Sequence, residues 1–157
     1  MSNIEEQTRQ MQDIDLVKEV VERENERLKR RIKCAVVTFG CQMNARDSEK
    51  LTGVLREAGY EIIDEETEAD FVIYNTCTVR ENANVRVYGR LGTLKTYKKN
   101  NPDMVIAMCG CMMQEKHVVE KLNKSYKFVD IIFGTHNIYM LAQLLYDRLA
   151  SGHKVEN

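Results

Sequence analysis

The chain has 157 residues, 43% of them apolar, with 23 basic against 24 acidic side chains and a net charge of -1. That is the size and apolar content of one globular domain with a core of its own, and the near-neutral balance means that an RNA partner would have to be held by a local patch rather than by bulk charge. No apolar run approaches the roughly 18–20 residues of a membrane span, and the start Met1-Ser2-Asn3-Ile4-Glu5-Glu6 lacks a signal peptide's basic and apolar regions, which predicts no membrane partner and a cytoplasmic location.

Residues 1–32 read as a charged helical extension. Ile14, Val17, Val21 and Leu28 recur at helical spacing as a weak apolar stripe. Its basic end, Arg27, Lys29, Arg30, Arg31 and Lys33, has two readings: cations that complement the C-terminus of a solvated helix, which the composition favours, or a partner-binding helix able to meet phosphates.

From Lys33 the pattern alternates strand and helix. Strand 34–39 leads into a loop with Cys41 and a helix from about Ala45, whose apolar face is Leu51, Val54, Leu55 and Ala58 and which Gly59 stops. A short strand at 60–63 is followed by Asp64, Glu65, Glu66, Glu68 and Asp70, an acidic run that reads as a solvated connection rather than a metal site because no His or Cys accompanies it. Strand 71–74 runs into Asn75-Thr76-Cys77; a long helix carrying Val85, Tyr88, Leu91 and Leu94 then ends near Pro102. Strand 104–109 meets Gly110-Cys111. A helix with Val118, Val119 and Leu122, strand 128–133, Gly134-Thr135-His136 and a last helix with Ile138, Leu141, Leu144, Leu145 and Leu149 complete the domain, leaving 151–157 as a tail. Near-continuous apolar strands alternating with helices predict an α/β domain over 33–150: a doubly wound, mostly parallel five-stranded sheet with helices on both faces, preceded by the helical N-terminal extension.

Five cysteines is an odd number, and Cys-x-x-Cys is absent, so disulfide-scaffold, thioredoxin, zinc-ribbon and bacterial ferredoxin signatures all fail. Three of the five, Cys41, Cys77 and Cys111, each follow a predicted strand, and in a parallel sheet such loops share one edge, where ligands bind. Their spacing leaves three readings open: one shared metal ion or cluster, buried structural thiols, or redox chemistry. Gly40 and Gly110 would let the backbone approach closely, and a following helix would favour negative charge. Cys34 and Cys109 fall inside strands and read as core. His136 sits at the same edge as a possible fourth ligand, though an ordinary loop histidine explains it better. Met43, Met108, Met112 and Met113 would line the site or simply pack. The loop after the first strand contains neither G-x-G-x-x-G nor G-x-x-x-x-G-K, which argues against a dinucleotide or nucleoside triphosphate site.

Thr38-Phe39-Gly40-Cys41-Gln42-Met43-Asn44, Asn75-Thr76-Cys77-Thr78-Val79-Arg80-Glu81 and Gly110-Cys111-Met112-Met113-Gln114, with Asp130-Ile131-Ile132-Phe133-Gly134-Thr135 beyond, resemble the N-terminal domain of the radical S-adenosylmethionine methylthiotransferases. The resemblance covers residues 33 to 150, and the Gly-Cys-Gln-Met-Asn motif is similar to the branch that acts on N6-dimethylallyladenosine of tRNA. It implies that Cys41, Cys77 and Cys111 hold an auxiliary 4Fe-4S cluster with one open iron, whose sulfur goes to carbon 2 of a modified adenine beside the anticodon. Met113 departs slightly from the pattern, where a small residue is commoner. The run C-x-x-x-C-x-x-C is missing, so the resemblance implies a fragment: the second 4Fe-4S cluster, S-adenosylmethionine and the C-terminal RNA-binding module are expected on domains absent from this chain. The partners it implies are tRNA, the missing radical domain and a sulfur donor, with no residue here needed as general acid or base. Two rivals from other classes stand beside it, a non-enzymatic flavodoxin-like binding module and a zinc-binding structural domain.

Overall fold

The computed structural model describes residues 3–40, 42–77 and 81–156, without the side chains of Asn3, Gln42, Met43, residues 81–85 and His136. Helix α1 (Asn3–Leu28) precedes strand β1 (Lys33–Thr38), helix α2 (Gln42–Glu57) and strand β2 (Glu61–Ile62). Strand β3 (Phe71–Thr76), helix α3 (Glu81–Asn100), strand β4 (Val105–Gly110) and helix α4 (Lys116–Ser125) follow, then strand β5 (Ile131–Phe133), helix α5 (Leu141–Ser151) and strand β6 (Val155–Glu156). The strands form one sheet in the order β2-β1-β3-β4-β5-β6, and every pairing is parallel.

β3 and β4 are buried along their whole length, as strands covered on both faces must be. Alternate residues serve opposite cores. Cys34, Phe71, Ile73, Val105, Ala107, Ile131 and Phe133 pack with α1, α2 and α5, whereas Ala35, Val72, Tyr74, Ile106, Met108 and Ile132 pack with α3 and α4. In α3 the inward residues are Val87, Leu91 and Leu94, with Tyr88 on the flank; the side chain of Val85 lies outside the described residues.

The architecture agrees with the reading from sequence, with three differences. The sheet has a sixth strand, because Val155 and Glu156 in the expected tail pair beside β5. The N-terminal helix is not a solvated extension: Ile14, Val17 and Val21 are buried in the same core as Leu51, Leu55, Leu141 and Leu145, each such burial contributing about 1.5–3 kcal/mol. The acidic run is not simply solvated either. Glu66 is buried, accepts the Tyr74 hydroxyl at 2.9 Å and pairs with Arg90, whose guanidinium lies over the Phe39 and Tyr74 rings.

Asp70 ties α1 to the sheet. Its carboxylate accepts two bonds from Arg30, at 2.9 and 2.8 Å, and one from the Lys33 N–H at 2.8 Å. Burial by itself would raise its pKa, but the Arg30 and Lys33 bonds and charges together outweigh burial and lower it. A lowered carboxylate contributes stability that is present above the unfolded-state pKa of about 3.9 and is lost as pH falls through the lower folded value. Asp70→Asn should therefore cost about 1–3 kcal/mol at pH 7, with the gap from wild type closing below about pH 4 in urea unfolding measured across pH.

Candidate metal centre

Parallel pairing brings the carboxyl ends of all the strands to one edge. The strand order reverses between β1, whose successor β2 lies on one side, and β3 on the other. In doubly wound sheets the crevice at such a reversal is where ligands sit. Register then places the cysteines. Thr38 pairs with Asn75 and Thr76 with Gly110, so Gly40, Cys77 and Cys111 leave three adjacent strands at one level. Cys41 itself lies outside the described residues, but its neighbour Gly40 does not: a Cβ built on Gly40 would lie 2.5 Å from the Cys77 Cβ and 3.2 Å from its sulfur. Cys77 is buried and Cys111 is half-buried.

Glycine is required at both close approaches. Gly40 has φ +125° and Gly110 φ +99°, values that L side chains rarely adopt, and a Cβ on Gly110 would collide with the Thr76 carbonyl oxygen and come within 2.6 Å of the Thr76 nitrogen. The expected helix directly after Cys111 is instead a 3-10 turn, Cys111–Gln114, with α4 beginning at Lys116.

Behind this edge runs a buried polar clasp that sequence reasoning missed. The Asn44 amide, in the first turn of α2, donates to the Thr76 carbonyl at 2.8 Å, and the Asn75 amide donates back to the Asn44 carbonyl at 2.9 Å and to the Ser48 hydroxyl at 3.1 Å. Ser48 and Thr38 share a hydrogen bond of 2.6 Å, and the Thr76 hydroxyl donates to the Cys109 carbonyl at 2.6 Å. The clasp thereby joins the segments next to all three loop cysteines. Asparagine and threonine at the end of an otherwise apolar strand were the available signal, since buried polar groups survive only with partners. On the open side the Thr135 hydroxyl donates to the Cys111 sulfur at 3.6 Å.

Cys34, Cys109, Met108, Met112 and Met113 are packing. Cys34 and Cys109 are fully buried on the α1–α2–α5 face, and burial pushes both thiols above the ordinary range. Met108, Met112 and Met113 belong to the apolar cluster under α3 and α4, and the side chains of Met43 and His136 lie outside the described residues. Among the described residues, which do not include Cys41, no group of three or more His, Cys, Asp or Glu is close enough to hold a metal ion. No described helix is long and apolar enough to cross a membrane.

A doubly wound parallel sheet, with Cys77 at its reversal point and Cys111 after the next strand, defines the chain as an α/β domain with thiols along one edge. It belongs to the family described as Uncharacterized protein family UPF0004, whose model matches residues 33–134. It is similar to proteins named tRNA-2-methylthio-N(6)-dimethylallyladenosine synthase: 64% identical over 133 residues to that of Lachnoclostridium phytofermentans, covering 85% of this chain and 29% of the relative. The corresponding protein of Acetivibrio thermocellus is 52% identical over 94% of this chain and 31% of its own length, and that of Clostridioides difficile 53% identical over 90% and 30%. The chain thus spans about a third of the length of these relatives.

The two classes of glycine make a test of the edge geometry. Gly110→Ala should destabilise the fold by about 3 kcal/mol or more through strain and collision, whereas Gly89→Ala in α3, where an added Cβ meets nothing within 4 Å, should stabilise it by about 0.5–1 kcal/mol; urea midpoints read both.

Proposed function

We propose that this chain is the cluster-bearing domain of a tRNA-2-methylthio-N6-dimethylallyladenosine synthase, with residues 33–150 as the domain proper and Cys41, Cys77 and Cys111 as the thiolates that hold a 4Fe-4S cluster. The observation that carries the reading is the common level at which Gly40, Cys77 and Cys111 leave adjacent strands, with Gly40 resting on Cys77. The donor set suits the group, since separated thiolates are soft ligands that favour iron-sulfur centres, and the two glycines keep side chains out of the space beside Cys77 and Thr76. When bound, such a cluster supplies one iron not held by the protein, at which sulfur is carried for transfer to carbon 2 of the modified adenine.

The chain's own residues do the rest of the work at this edge. The clasp of Asn44, Asn75 and Thr76 fixes the spacing between the cysteine loops. Buried Phe39, Met112 and Met113 keep water from the sheet side, and Thr135 donates to the Cys111 sulfur. No side chain here is assigned a proton-transfer role. On this reading S-adenosylmethionine, the second 4Fe-4S cluster and the radical step belong to other parts of a full-length cytoplasmic enzyme, which would also meet tRNA and a sulfur donor.

Anaerobic reconstitution of the 157-residue chain tests the assignment. About four iron and four sulfide per chain are expected, lost in Cys41→Ala, Cys77→Ala and Cys111→Ala and kept in Cys34→Ala and Cys109→Ala. One zinc without sulfide would select a structural zinc domain, a colourless metal-free chain would select a plain binding module, and iron lost only in the two controls would overturn the ligand set.

A further inference from the structure

Charge is segregated between the two layers of helices. α1, α2 and α5 carry eight Lys and Arg against twelve Asp and Glu, whereas α3 and α4 on the other face carry eight Lys and Arg against two Glu. Two of those eight are engaged within the fold, Lys98 by Asp130 at 2.5 Å and Arg90 by Glu66. Others share the surface on which α3 and α4 meet. At 100° per residue Tyr88, Lys95 and Lys99 lie within about 40° of each other on α3, on the flank where Tyr88 stacks against Tyr126 at 5.3 Å and lies under the Lys121 ammonium at 4.1 Å. Lys121 and Lys124, one turn apart, line the α4 side. Lys95, Lys99, Lys121 and Lys124 are all exposed.

We infer that the basic face where α3 and α4 meet is an RNA-docking surface, with Lys95, Lys99, Lys121 and Lys124 meeting backbone phosphates beside the half-exposed Tyr88. This deepens the reading of the chain as part of a tRNA-modifying enzyme and rests on it. The argument is charge complementarity in a chain of net charge -1: cations concentrated on one face create the local patch that a near-neutral protein needs to hold a polyanion. The Tyr88–Tyr126 pair adds a π surface of the kind on which unpaired bases and guanidinium or ammonium groups stack. Both helices also start on the side of the sheet where the cysteine loops lie, α3 at Glu81 after Cys77 and α4 at Lys116 after Cys111. A strand lying along α3 has a path of about 30 Å, starting from that side. At the basic end of α1 two of the cations are engaged within the fold, Arg27 by Glu24 and Arg30 by Asp70.

Fluorescence anisotropy with a labelled anticodon stem-loop RNA and the reconstituted chain, over a salt series, tests this. Lys95→Glu/Lys99→Glu/Lys124→Glu should weaken binding at least tenfold and flatten the salt dependence by about 2 in the log–log slope. The same number of reversals on the opposite layer, Lys18→Glu/Lys50→Glu/Arg56→Glu, should change affinity less than threefold. Equal loss in both triple variants, unchanged affinity in the first, or no measurable binding by wild type at low salt would each overturn the surface. Displacement of the RNA by polyglutamate at matched charge would also overturn it, assigning the face to an acidic protein. Iron content is read on the same samples: an iron-free chain that still binds RNA through Lys95, Lys99 and Lys124 fails the proposed function but not the docking surface, and an iron-replete chain that ignores RNA does the reverse.

Discussion

Parallel register is the constraint on which the rest depends. Because β1, β3 and β4 run in the same direction and end within one residue of the same level, three loops distant in sequence start from one line. Neighbouring parallel strands stand about 4.8 Å apart, so residues at equal level are brought together before any side-chain interaction is considered. The Asn44–Asn75–Thr76 clasp then removes the freedom that loops would otherwise keep. A buried amide without a partner would cost about 1–3 kcal/mol, and here both amides join the start of α2 to the end of β3 while the Thr76 hydroxyl reaches β4, so moving the loops costs fold stability.

What the sequence made legible follows from how local each signal is. The apolar runs of β3 and β4 are obvious because both faces of those strands are covered, and the recurrence of strand, small residue and cysteine exposed the common edge without any tertiary information. α1 was under-read because its buried stripe is only Ile14, Val17 and Val21 among many charges. The acidic run was read as solvated because its partners are remote: Arg90 stands 24 residues from Glu66 and Arg30 stands 40 from Asp70. β6 is a two-residue edge strand, Val155–Glu156, too short for an apolar period to announce it. The basic face was invisible for the same reason of distance, its lysines being dispersed through two helices in a chain that is neutral on average.

The two helical layers also divide the chemistry of the surface. The layer of α1, α2 and α5 is net acidic and encloses Cys34 and Cys109 as ordinary packing, while the layer of α3 and α4 is net basic and covers Met104, Met108, Met112 and Met113 with Tyr74, Tyr88 and Tyr126. Asp130 joins the layers across the sheet, accepting from Lys98 of α3, Arg148 of α5 and the Ile106 N–H of β4. A single carboxylate thereby fixes how the two faces are set against each other, at the end of the sheet opposite the thiols.

The docking of α1 on α5 has a consequence for biosynthesis. α1 is made before α5, with which it shares a core, so its apolar stripe stays partly uncovered while the more than one hundred residues between them are translated. Such a long-range closure is slow and exposes sticky surface to neighbours in a crowded cell. The flanking charges of α1, eight of them acidic, keep the nascent helix hydrated during that wait.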